Sequence, residues 1–173
     1  VYILYNLIQL LDGLSFYDSL DSVVGLAIQE LEKFEESQLR AKIGCDIFNA
    51  AGLAYLSSDK NKALISFLCV KQLLDKFLPK EEKALMAYYC NMGLAYSKID
   101  FEKANQFLQE ALEREKQYYG EYSMEVADVY HNIGKNYLSI SDYENASFYL
   151  EKALQIKRTK SECTYSLIKT EFG

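Results

Sequence analysis

Along most of this chain, apolar residues recur at intervals of three or four, with charged and polar residues between them. This spacing places apolar side chains on one face of an α-helix. Short breaks interrupt the pattern near residues 59–60, 99–100 and 141–142, and Pro79 follows another apolar run at which a helix should stop. The pattern therefore predicts pairs of helices joined by tight turns, at about residues 37–58 with 61–77, 79–99 with 101–119, and 124–140 with 143–158.

Each predicted helix pair contains one copy of an eight-residue signature. The copies read FNAAGLAY at 48–55, YCNMGLAY at 89–96 and YHNIGKNY at 130–137. Each begins with an aromatic residue, has glycine four residues later and ends with tyrosine three residues after that. The glycines are equally spaced, since 93 − 52 = 41 and 134 − 93 = 41. A fixed period indicates an array of structural repeats that share one packing face.

Small residues within the helices predict how each pair packs. Gly52, Gly93 and Gly134 lie mid-helix, where glycine costs about 1 kcal/mol relative to alanine. We therefore expect a neighbouring helix to approach closely at each glycine. We also expect the aromatic residues to fill the space between successive pairs. Small residues recur on the second helices at two positions seven residues apart, namely Ala63 with Val70, Ala104 with Ala111, and Ala146 with Ala153.

This combination of aromatic, glycine, tyrosine and two alanines resembles the tetratricopeptide repeat, over residues 37–158. The resemblance implies an all-α fold, a right-handed alpha-alpha superhelix (solenoid) of helix-turn-helix repeats. Typical repeats of that family have about 34 residues, whereas these have a period of 41. In their length they resemble the repeats of kinesin light chains and of the peptide-sensing domains of some bacterial transcription regulators.

The periodicity also predicts the organisation of the chain. Residues 1–36 would be a degenerate repeat, because Leu7, Leu11 and Leu14 keep the apolar character of the signature and lose its glycine and tyrosine. The apolar opening at residues 1–11 is predicted to be a core-facing helix, and a start at Val1 suggests a fragment of a longer protein. The predicted segments are 1–36, three repeats at 37–78, 79–118 and 119–158, and a capping or truncated helix at 159–173.

Composition narrows the functional classes. Nineteen basic and twenty-five acidic residues give a net charge of −6, which disfavours direct nucleic-acid binding. The short basic run KRTK at 157–160 is predicted to lie at a helix end, where it would complement the helix dipole. No signal peptide or membrane span is predicted. The four cysteines are too far apart in sequence for a zinc or redox motif, so we expect buried, reduced thiols and a cytoplasmic location.

The sequence offers no candidate active site. His131 is the sole histidine and Asp128 lies three residues before it, but two ligands do not make a metal site. No phosphate-binding glycine loop, nucleophile elbow or HExxH motif is present. We therefore predict a protein that is not an enzyme and uses no cofactor or metal.

The resemblance instead implies a peptide-binding or protein-binding surface on the first helix of each repeat. Family members that hold extended peptides often have an asparagine two residues before the signature glycine. Asn91 and Asn132 occupy that position, and Asn49 lies beside it. The amides would bond either to a peptide backbone or within their own repeat. The other candidate positions on this face are Asp46, Leu53, Ser57, Cys90, Leu94, Lys98, Asp128, His131 and Lys135.

Three roles are compatible with such a surface. The first is a non-catalytic module that docks an extended peptide or a partner protein in its concave groove. The second is the peptide-sensing domain of a bacterial transcription regulator. The third is self-association into a homodimer through apolar surface left open at the C-terminal end of the array.

Overall fold

The computed structural model describes residues 17–33 and 37–172, with side chains from residue 20 to residue 161. These residues contain helices and turns and no strand, so the all-α prediction is confirmed. The predicted helix at 1–11 lies outside the described residues. No described helix is both long enough and apolar enough to cross a membrane. The helices are α1 (Tyr17–Glu32), α2 (Gln38–Tyr55), α3 (Lys60–Phe77), α4 (Glu82–Tyr96), α5 (Phe101–Tyr119), α6 (Met124–Ser139) and α7 (Tyr143–Phe172).

Polar side chains cap the helices where the sequence pattern breaks. Ser37, Asp59, Asp100 and Ser123 precede α2, α3, α5 and α6, and each accepts a hydrogen bond from a backbone N–H in the first turn. Such caps satisfy amide groups that have no partner within the helix. The predicted breaks before residues 101 and 143 are confirmed, and α3 begins at Lys60, one residue earlier than predicted. Ser141 turns the chain before α7 with a φ of 62°.

The C-terminal helix corrects one prediction. Residues 157–160 were expected to form a helix end, but they lie inside α7, which continues for 30 residues. The reason is that residues 159–172 contain neither glycine nor proline, so nothing in the sequence stops the helix.

The chain divides into two compact units at residues 95 and 96. In the first unit, α2 packs against α1 and α3 around the fully buried Phe67 and Ile47. In the second unit, α6 packs against α5 and α7 around Leu108, Val126 and Ile133. Each unit therefore buries an apolar core between a first helix and the second helices on either side of it.

Two signature glycines lie where helices approach closely, as predicted. A Cβ atom at Gly52 would lie 2.3 Å from Cε1 of Phe67 on α3. At Gly134 a Cβ atom would lie 2.7 Å from Cγ of Leu150 and 3.2 Å from the backbone oxygen of Ala146, both on α7. Glycine is used at these positions because a larger residue would overlap the paired helix.

The signature tyrosines reach towards the preceding repeat. In the first unit the Tyr55 hydroxyl donates to Oδ1 of Asp21 on α1, at 2.5 Å. In the second unit the Tyr137 ring meets the edge of the Phe101 ring on α5, with centroids 5.2 Å apart. The prediction that signature aromatics fill the space between successive pairs is confirmed at these two positions.

The Tyr55 hydroxyl yields a stability prediction. Hydrogen bonds from Lys62 and Tyr55 hold the pKa of the Asp21 carboxyl below its usual range. We expect Tyr55→Phe to lower the free energy of unfolding by about 1 kcal/mol at neutral pH. Because the folded pKa of Asp21 is depressed, this contribution is present above the ordinary carboxyl pKa and is lost as the pH falls through the folded value. Urea unfolding of wild type and Tyr55→Phe at neutral and at acidic pH measures this difference in the free energy of unfolding.

Tyr143→Phe is the matched control for this prediction, because Tyr143 is 70% exposed. Removing the Tyr143 hydroxyl should leave the free energy of unfolding unchanged at either pH. A loss from Tyr55→Phe of equal size at both pH values would contradict the assigned role of the Asp21 carboxylate.

Candidate binding surface

An asparagine pair joins the first helices of two repeats in the first unit. Nδ2 of Asn91 on α4 donates to Oδ1 of Asn49 on α2, at 3.2 Å, and both side chains are half-buried. Near the start of the same two helices, Nζ of Lys42 lies 2.6 Å from Oε1 of Glu81. Contacts between their starts and between their middles show that α2 and α4 run side by side in the same direction.

The asparagine pair keeps part of its hydrogen-bonding capacity. Its internal bond uses the oxygen of Asn49 and one N–H of Asn91. A primary amide has one acceptor oxygen and two donor hydrogens. The pair can therefore offer the amide nitrogen of Asn49 as a donor and the amide oxygen of Asn91 as an acceptor to a third group.

Side chains of different character flank the asparagine pair along α2. Lys42, Asp46, Asn49 and Leu53 follow one another at intervals of four, three and four residues, which places them on one face of the helix. Asp46 and Leu53 are exposed, Leu53 to 40%. Desolvation raises the pKa of the Asp46 carboxyl. This face therefore combines an amide donor and acceptor with one carboxylate and one apolar contact.

The remaining candidates in the first unit are less accessible or more peripheral. Cys90 and Leu94 on α4 are half-buried, and Ser57 is exposed just after α2. Lys98 is exposed in the turn after α4 and belongs to the second unit. In the first unit, the structure brings Asn49 and Asn91 together among the predicted binding residues.

In the second unit, α6 presents a mainly charged face. Asp128, His131 and Lys135 are exposed at helical spacing, and Asn132 beside them is half-buried. Oδ1 of Asp128 lies 2.7 Å from Nζ of Lys157 on α7, so the carboxylate forms an ion pair. Within the described part of the chain, no group of three or more His, Cys, Asp or Glu residues is arranged to hold a metal ion.

The cysteine predictions are confirmed only in part. Cys45 is buried, and desolvation raises the pKa of its thiol to about 11. Cys69 and Cys90 are half-buried rather than buried, and all three are free thiols. Desolvation also raises the pKa of Cys69. Since the thiolate is the reactive form, Cys45 and Cys69 are poor nucleophiles at neutral pH.

Sequence reasoning missed how the asparagines are bonded. The sequence predicts a bond to a peptide partner or a bond within the same repeat, whereas the bond between Asn49 and Asn91 joins two repeats. It also missed Lys157, because nothing in the local sequence links a lysine on one helix to Asp128 on another. Both contacts depend on how two helices align, which the repeat period alone does not specify.

The comparisons with known proteins agree with this architecture. Residues 83–159 match the family described as "Tetratricopeptide repeat". None of the curated proteins compared with the chain matches it. The likeness to kinesin light chains stays a prediction. The matched residues make up slightly less than half of the chain, and over this part the chain is similar to the tetratricopeptide repeat.

Proposed function

We propose that the face shared by α2 and α4 binds the backbone of an extended peptide segment of a partner protein, without catalysis. Tetratricopeptide repeats generally mediate protein–protein interactions. The observation that carries the proposal is the asparagine pair, whose 3.2 Å bond fixes the two amides side by side. Together they offer one donor and one acceptor, the complement of the C=O and N–H groups of a peptide.

The flanking residues define the preferred ligand. Asp46 would accept a hydrogen bond from a backbone N–H or a basic side chain, and Leu53 would contact an apolar side chain of the ligand. The net charge of −6 disfavours an acidic peptide. We therefore propose a neutral or basic peptide with at least one apolar residue, held in an extended conformation by backbone hydrogen bonds.

The second unit has its own candidate residues for the same kind of ligand. On α6 the half-buried Asn132 lies beside His131 and Lys135, which are exposed. Asp128 is engaged with Lys157 and would have to exchange that ion pair for a contact to the ligand. Lys98 remains a predicted contributor in the second unit, and Leu94 remains one in the first.

The test compares partner capture by the wild-type chain with capture by an Asn49→Ala, Asn91→Ala double variant. Proteins retained from a lysate of the source organism are identified by mass spectrometry, and overlapping peptides of each are then titrated by fluorescence anisotropy. Each lost hydrogen bond costs about 1 kcal/mol, so we expect the double variant to bind the peptide about tenfold to thirtyfold more weakly.

The matched control is Asn61→Ala, because Asn61 is an exposed asparagine in the first turn of α3, away from the pair. It should leave affinity unchanged, and far-UV circular dichroism must show that all three proteins are folded. Equal affinity of wild type and the folded double variant would contradict the proposal. An equal loss from Asn61→Ala would mean that the effect does not arise at the asparagine pair.

A further inference from the structure

One face of α7 carries two large apolar side chains, Tyr143 and Leu154, that stay exposed among the described residues. Tyr143, Ser147, Leu150, Leu154 and Arg158 follow one another at intervals of three or four residues, and Glu151 lies four residues after Ser147. We call these six residues the α7 stripe, because this spacing aligns them along one side of the helix. Tyr143 is 70% exposed and Leu154 is 47% exposed. Leu138 in the last turn of α6 and Ile140 just after that helix are exposed to 44% and 49%.

In the preceding repeat, the equivalent face of α5 is covered by another helix. Leu108 and Leu112 on α5 are the counterparts of Leu150 and Leu154, since 150 − 108 = 42 and 154 − 112 = 42. Both are buried, to 1% and 3% exposure, and α6 packs against α5. Leu112 is thus buried, whereas its counterpart Leu154 is open in the next repeat; Leu150 is half-buried against α6 at Gly134.

The open face is concave as well as apolar. A depression of about 310 Å³ is lined by Leu138, Tyr143, Leu150 and Leu154, and a second of about 370 Å³ is lined by Leu154 and Arg158. Glu151 and Leu154 belong to both, so the two form one groove along α7. A groove of this shape suits a helix laid along it.

The charges on the α7 stripe point to one occupant. Glu151 and Arg158 are seven residues apart, two helical turns, and therefore lie on the same flank of the leucines. The Ser147 hydroxyl donates to Oε1 of Glu151 at 2.9 Å and so orients the carboxylate. If two α7 helices pair antiparallel about a twofold axis near Leu154, Glu151 of each copy meets Arg158 of the other.

We propose that the chain forms a homodimer in which the α7 stripes of two copies pack antiparallel, with Leu154 of both copies at the centre and two Glu151–Arg158 ion pairs beside it. Such an interface uses the same patch of both copies, as twofold symmetry requires. It is separate from the asparagine pair, so each proposal can fail without the other.

The experiment is sedimentation velocity over a wide concentration range on wild type, Glu151→Arg, Arg158→Glu and the double charge exchange Glu151→Arg, Arg158→Glu. Each single reversal puts like charges together at two symmetric places. We expect each to weaken dimerisation about tenfold or more, and the double exchange to restore it. Leu154→Glu should abolish the dimer.

The control for the leucine variant is Leu68→Glu, because Leu68 on α3 is also 47% exposed. It should leave the dimer intact, and circular dichroism must show that every variant is folded. A wild type that stays monomeric at all concentrations would overturn the proposal. So would growth into species larger than dimers, or a double exchange that remains as weak as the single reversals.

Discussion

Replacing Gly52 by valine is expected to lower the free energy of unfolding of the first unit by about 3 kcal/mol. The Phe67 ring fills the space that a side chain at residue 52 would need, with Cε1 at 2.3 Å from the position of a Cβ atom. Phe67 is fully buried, so its ring has no open volume into which to move. Urea unfolding followed by far-UV circular dichroism measures the loss.

The chain offers a matched control within another helix. A Cβ atom at Gly25 on α1 would meet nothing within 4 Å. Gly25→Ala should therefore stabilise the protein by about 0.5–1 kcal/mol through helix propensity alone. If Gly52→Val left stability unchanged, the close packing of α2 on α3 at this position would be contradicted.

A second comparison separates overpacking from other effects. Phe67→Leu removes ring atoms from the region that a residue at 52 would enter, and on its own it should destabilise because it leaves a cavity. In a double-mutant cycle, Gly52→Ala should cost less in the Phe67→Leu background than in wild type. Strict additivity would show that the ring and the glycine do not interact.

Gly52 also illustrates what the sequence could predict. The mid-helix glycine carries an intrinsic penalty, and its recurrence at a fixed interval indicated a shared packing reason, which the structure confirms at Gly52 and Gly134. The turns at Asp59 and Asp100 were predictable for a similar reason, because capping is a local interaction within one helix turn. Features that depend on neighbouring residues or on a strict repeat could therefore be predicted from the sequence.

The contacts of the candidate site could not be predicted from the sequence in the same way. Asn49 and Asn91 are 42 residues apart, one more than the repeat period, so equivalent positions do not bond to each other. The Lys42–Glu81 pair differs from the period in the opposite direction. Which side chains meet depends on the rotation and shift of one helix against another, and a shift of a single residue exchanges one partner for the next.

The second large loss of stability is expected from a substitution at Asn136 on α6. The equivalent residues of the other two repeats are Ala54 and Ala95, and all three positions are buried. Nδ2 of Asn136 donates to the backbone oxygen of Phe101 at 3.3 Å, while its Oδ1 has no hydrogen-bond partner among the described residues. Asn136 is therefore a buried amide that is only half satisfied.

We expect Asn136→Asp to lower the free energy of unfolding of the second unit by at least about 3 kcal/mol at neutral pH, because it places an uncompensated charge at a site that is 1% exposed. The loss of stability from Asn136→Ala should be much smaller, and its free energy of unfolding should stay within about 1 kcal/mol of wild type. That change loses one hydrogen bond but also removes the unpaired oxygen. Thermal and urea unfolding of both variants beside wild type measure the difference.

The pH dependence distinguishes a buried charge from a simple packing defect. Burial should raise the pKa of an aspartate at residue 136 above its unfolded value of about 3.9. Below that unfolded value both states are protonated, so the penalty is absent. It grows as the pH rises, because the unfolded state ionises first and the folded state then binds more protons. The stability of Asn136→Asp should therefore fall from acidic to neutral pH relative to Asn136→Ala. A constant difference between the two variants would show that water reaches residue 136 and that the amide is not held in a dry core.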